Sequence, residues 1–220
     1  GTGLGATFAN GYPRMTPWRD YTHGGKPMLP KFTDPKSIQD YLDDLAYNIT
    51  DRTLCPYDVT RERIAHCMDG AVFAAAALDS IGHPPLLVDL RAIDDDDHVI
   101  AVYQEQGLWG AVAKSNTTAL RFRAPVYRTI RELALSYFAV YFNTDGEMSL
   151  HGYSRPFSLR KYRGKYLSAP DVAYIGADLD ATIHYPIVSR KRLKSLPTAP
   201  PYLIDACFLG ANYAGLYKKG

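Results

Sequence analysis

Cys67 and His98 are the two residues of this chain whose types and settings could together carry chemistry. Cys67 falls in the first turn of an alanine-rich stretch that stops at Gly82. Cys67, Ala71, Ala74 and Leu78 recur at helical spacing, so the thiol points inward with the packing stripe. The positive end of a helix dipole favours thiolate, the nucleophilic form. Taken alone, such a cysteine reads first as a small buried hydrophobe. His98 heads an apolar run directly after a turn, and a helix-top cysteine facing a strand-borne histidine makes a nucleophile and its base. A third group should orient the imidazole. A hairpin turning at Glu105-Gln106-Gly107 brings residues 113–116 back beside His98, where Ser115 and Asn116 are the polar, uncharged candidates. Asp97, next to the ring, is expected to raise the His98 pKa and favour a thiolate–imidazolium pair.

Other polar clusters read more plainly. Asp94, Asp95, Asp96 and Asp97 are consecutive acids that cannot all face one ion, and no EF-hand spacing accompanies them, so they are taken as a solvated turn and neither a metal nor a cofactor is expected. His66 points about 100° away from Cys67 around a helix and is assigned to the cap or the rim.

Several elements must position these residues. Asp34-Pro35 opens a helix running to about residue 48, with Asp34 as N-cap and Pro35 in the first helical position. Residues 49–64 read as a polar connection carrying Pro56. The cysteine helix follows, and then strand-like runs over residues 86–92, 98–104 and 108–115, whose short connections require antiparallel neighbours. A third helix is expected over residues 126–142. Short strands are expected near residues 172–175 and 184–187, within a Tyr-rich stretch from residue 149 onward. This order of helix, helix, three antiparallel strands and helix indicates an α+β fold. All 220 residues are read as one domain, with an irregular N-terminal arm over residues 1–33, a core over about residues 34–142, and a basic, tyrosine-rich part over residues 143–220.

Composition excludes several classes. Hydrophobic residues make up 46% and charged residues 22%, which rules out a disordered chain. No apolar stretch approaches the ~20 residues of a membrane span. Three cysteines without C-x-x-C spacing fit a reducing compartment, and a cytoplasmic location is expected, although a removed signal peptide would be invisible; a Cys55–Cys207 bridge stays open. Residues 1–110 carry a net charge of −7 and residues 111–220 one of +9, read first as two faces of one domain attracting each other. Basic runs with interleaved tyrosines lack any nucleic-acid-binding signature, so no nucleic acid partner is expected.

The succession of Cys67 at a helix start, Ile81-Gly82, the run from Leu87, the His98-led strand and Gly107-Leu108-Trp109 resembles the transglutaminase-like superfamily, relatives of papain-type cysteine enzymes, over about residues 60–117. The resemblance implies a core in which the alanine-rich cysteine helix packs on an antiparallel sheet. It implies acyl transfer or hydrolysis on a peptide or a small amide or ester, with Cys67 as nucleophile and His98 as acid–base. The family's Asp after the strand Trp is replaced here by Ala113. By analogy with Cys-His-Asn triads, Asn116 is assigned as the third member, with Ser115 next. The alternative is a catalytically inactive domain of this fold that binds a peptide or an anionic partner. The cleft wall opposite the acidic turn is expected to be basic and aromatic, suiting a polar or zwitterionic amide.

Overall fold

The computed structural model describes residues 29–217 together with two paired dipeptides, β1 (Thr22–His23) and β2 (Lys26–Pro27). The irregular arm expected over residues 1–33 otherwise lies mostly outside the described residues. Helix α1 (Pro35–Asp43) starts as its residue types dictate: the Asp34 side chain accepts from the Ser37 N–H while the Ser37 hydroxyl accepts from the Asp34 N–H. It ends short of residue 48 because the chain turns into β3 (Ala46–Tyr47), which pairs in parallel with β4 (Ile64–Ala65). Between them the expected polar connection folds as α2 (Pro56–Glu62), entered through Pro56 in the first turn.

Helix α3 (Cys67–Ser80) runs between the expected boundaries, and Gly82 just beyond it takes φ +95°. Strands β5 (Leu86–Ala92), β6 (His98–Glu105) and β7 (Leu108–Val112) follow as antiparallel neighbours. The register sets Ala101 opposite Val112, which carried forward brings Ser115 abreast of His98. Residues 123–127, partly assigned to a helix by sequence, instead form β8 (Arg123–Tyr127) on the edge beside β7. The helix, α4 (Ile130–Phe138), begins only where the Thr129 hydroxyl caps the Glu132 N–H.

Beyond α4, β9 (Leu150–Ser154) inserts beside β5, and β10 (Phe157–Ser158) continues along the same edge. Arg155-Pro156 separates the two, since proline cannot donate to a ladder. Residues expected as a strand near 172–175 open α5 (Ala173–Asp180), whose buried Ile175 and Leu179 are one helical turn apart. The strand expected near residue 184 is present as β11 (His184–Pro186), paired with β9. Two short helices follow, α6 (Arg190–Leu193) and α7 (Pro201–Cys207), and then a 3-10 turn over Tyr213–Gly215.

The seven-stranded sheet is antiparallel, in the order β11-β9-β5-β6-β7-β8, with β10 also on β5. Both faces of its centre are covered. Val99, Ala101 and Tyr103 of β6 join the core formed with α1, α2 and α3. Ile100 and Val102 join Leu133, Ala134 and Tyr137 of α4. This two-sided burial explains why β5 and β6 read as near-continuous apolar runs. Gly70 lets α3 approach the sheet: a Cβ there would lie 2.3 Å from Lys114 Cβ. The architecture is therefore mixed helix and sheet, as expected. Among the described residues no helix is long and apolar enough to cross a membrane.

Candidate functional site

The start of α3 is organised by His66 and Asp69. His66 Nδ1 accepts the N–H groups of Met68 at 3.1 Å and Asp69 at 3.3 Å, so His66 is the N-cap. The fully buried Asp69 carboxylate accepts from the Leu54 N–H at 2.7 Å, the His66 N–H at 3.0 Å and Asn48 Nδ2 at 2.8 Å. It thereby ties the loop before α2 to the helix end that carries the thiol. The Gly70 N–H bonds the His66 carbonyl, which leaves the Cys67 N–H as the first-turn donor without a hydrogen bond among the described residues.

Cys67 lies against the backbone that flanks His98. Its thiol donates to the Asp97 carbonyl at 3.9 Å, and the Val99 N–H faces the sulfur. Cys67 keeps some exposed surface, but protein crowds it, and this desolvation, with the Asp69 and Asp96 carboxylates nearby, pushes the thiol up to about 12. The expected thiolate is thus corrected to a neutral thiol, because loss of solvation outweighs the helix dipole. Cys55 and Cys207 are also free thiols, so the bridge left open by sequence is not formed.

The His98 ring is almost wholly buried at 4% exposure and sits edge-on to Tyr141, with ring centres 6.5 Å apart. Nε2 lies 2.8 Å from the Leu120 carbonyl. A carbonyl can only accept, so Nε2 carries the proton and Nδ1 holds the lone pair. Nδ1 makes no hydrogen bond among the described residues and is not one of their enclosed, unpartnered atoms. Burial lowers the His98 pKa to about 4, keeping the imidazole neutral. The expectation that Asp97 raises it is corrected: that carboxylate turns away, taking the Ala92 N–H at 2.6 Å and standing 3.9 Å from Arg91 Nε.

Cys67, His98, Ser115 and Asn116 all line one cavity of about 70 Å³ at the end of the sheet. No hydrogen bond joins the Cys67 thiol to the His98 ring among the described residues. The place given to Asn116 beside the imidazole is filled by the Leu120 carbonyl. Asn116 instead spends its amide on the backbone of Asn212, and the Ser115 hydroxyl bonds Thr117. The cavity wall is aromatic, with Tyr141, Phe142, Phe208 and Tyr217, as expected, but among the described residues no Lys or Arg lines it. The acidic turn is structured as well as wet: Asp95 accepts from the Ser149 hydroxyl at 2.7 Å, and burial raises its pKa to about 6.

Two features escaped the sequence reading. Asp69, three residues past the His66 cap, carried a legible capping signal. Lys114, buried, donates to the Leu42 carbonyl at 2.8 Å and the Leu45 carbonyl at 2.5 Å, closing the end of α1. As for metals, the carboxylates of Asp89, Asp97 and Asp180 lie within 4.8 Å of one another, and the Arg91 guanidinium stands among them at 3.5–3.9 Å. Asp89 Oδ2 also lies 2.9 Å from His184 Nε2. In comparison with known proteins, no family model matches the chain and no curated protein is significantly similar to it.

Proposed function

We propose that this chain is a cysteine-dependent acyl-transfer or amide-hydrolysing enzyme with a transglutaminase-like, papain-related core. Cys67 is its nucleophile and His98 its general base and acid. The observation that carries this reading is the shared cavity: helix-top Cys67 and neutral His98, whose Nδ1 makes no hydrogen bond among the described residues, both line it. Three donors and acceptors support it. As sulfur attacks the carbonyl of an amide or ester, its proton passes to Nδ1. The Leu120 carbonyl, bonded to Nε2–H, stabilises the imidazolium so formed. The Cys67 N–H is free to receive the oxyanion. The imidazolium then protonates the departing amine or alcohol, leaving a thioester on Cys67. Water or an amine, deprotonated by Nδ1, attacks the thioester and restores the thiol. Both groups start neutral, so proton transfer accompanies attack in place of a preformed ion pair.

A second reading, a catalytically inactive domain that binds a peptide, draws on the thiol raised to about 12 and on the missing thiol–imidazole bond. Incubation with an activated ester separates the two. Acyl-transfer predicts a thioester of the ester's mass on the Cys67 peptide, loss of turnover in Cys67→Ala, and a fall of roughly 100-fold or more in His98→Gln. Turnover that survives Cys67→Ala would remove Cys67 from the mechanism.

A further inference from the structure

The amide of Asn116 grips the main chain of a single distant residue. Its Nδ2 donates to the Asn212 carbonyl at 2.8 Å and its Oδ1 accepts the Asn212 N–H at 2.8 Å. Two reciprocal bonds to one residue are how a β-strand holds its antiparallel neighbour, and they read backbone without regard to side chain. Asn212, at φ −81° and ψ 104°, and Leu216, at φ −92° and ψ 146°, are extended on either side of a single 3-10 turn over Tyr213–Gly215. Between them Gly215 lies so close on Tyr47 that a Cβ would come within 2.9 Å of the ring and 3.2 Å of Ile49 Cγ2.

This segment crosses the candidate site. Gly215, Leu216 and Tyr217 line the Cys67 cavity. Leu209, Gly210 and Asn212 wall a second cavity of about 450 Å³, which shares Tyr47, Ser115 and Asn116 with the first. One groove therefore runs beneath residues 209–217, divided where Asn116 holds Asn212. Elsewhere the segment turns side chains to solvent: Leu209 is 65% and Tyr213 73% exposed. Its upstream end is tethered, with the Thr118 N–H on the Cys207 carbonyl at 2.8 Å.

We propose that the groove beside Cys67 is a site for a peptide segment, gripped at one residue's backbone through Asn116, and that residues 209–217 occupy it in cis as a detachable strap that limits access to the thiol. That an incoming peptide then meets a nucleophile rests on the acyl-transfer reading; the strap itself does not. Marginal contacts of this kind open locally without global unfolding.

The test uses the full chain and two variants, Gly215→Val, which forces the strap off Tyr47, and Asn116→Ala, which removes the clamp. Hydrogen exchange is read over residues 209–217, iodoacetamide labelling of Cys67 is read by peptide mapping, and near-UV circular dichroism confirms folding. Both variants should exchange faster across the strap and label Cys67 about tenfold faster, the scale of one to two net hydrogen bonds lost. A synthetic peptide of residues 209–217 should slow labelling again in Gly215→Val but not in Asn116→Ala. Unchanged Cys67 labelling in a folded variant whose strap exchanges freely overturns the proposal, as does full strap protection in both folded variants. Faster labelling with no ester or amide turned over leaves the strap standing and removes the acyl-transfer reading.

Discussion

Lowering the pH should draw stability out of this protein through His98, and by a calculable amount. Imidazole ordinarily titrates near 6.5, and burial lowers His98 to about 4, outweighing the hydrogen bond to the Leu120 carbonyl, which favours the charged ring. The folded chain therefore refuses a proton that the unfolded chain accepts. The contribution is fully present above pH ~6.5 and drains away as the pH falls to about 4. A difference of about 2.5 pH units corresponds to about 3 kcal/mol. Asp89 and Asp95 work in the opposite sense over the same range. Burial raises each to about 6, so their folded forms take up protons first and gain stability as the pH falls. The raw stability curve thus mixes opposing slopes, and the His98 share is isolated by comparison with His98→Gln. Glutamine can still donate to the Leu120 carbonyl and has nothing to titrate. Urea unfolding of both proteins at half-unit steps from pH 7 to pH 4 should show the wild type losing about 3 kcal/mol relative to the variant. A gap between the two proteins that stays constant over that range would refute the burial of a neutral imidazole.

Gly70→Ala should destabilise the protein by about 2–3 kcal/mol in urea unfolding, because its Cβ would collide with the Lys114 side chain in a packed interface. A change below about 0.5 kcal/mol would mean that α3 does not approach Lys114, just past β7, so closely. In the wild-type chain, Cys67 alkylation should climb nearly tenfold per pH unit from pH 8 through pH 10, since the thiol is raised to about 12. A plateau starting near neutral pH would instead reveal a thiolate and a depressed pKa.

Local signals were legible wherever a few neighbouring residues decide the backbone. The Asp34-Pro35 entry, the start of α3 at Cys67 and its stop before Gly82, and the opening of β6 at His98 follow from caps, propensity and turn chemistry within a turn or two. The short β6–β7 turn even carried long-range information, because its length fixes which residues stand near His98. Tertiary structure alone decided where those residues turn. Asn116 meets a backbone 96 residues further along the chain, and the imidazole finds the Leu120 carbonyl, a group that every residue type possesses and no sequence pattern marks. The same holds for β9, whose place between β5 and β11 depends on sheet edges left open by other strands, and for α5, where a short apolar run fits either period. The protonation of Cys67 belongs to this second class as well. A helix end favours thiolate from its sequence position, whereas desolvation depends on everything that folds around the sulfur, and here the surroundings win.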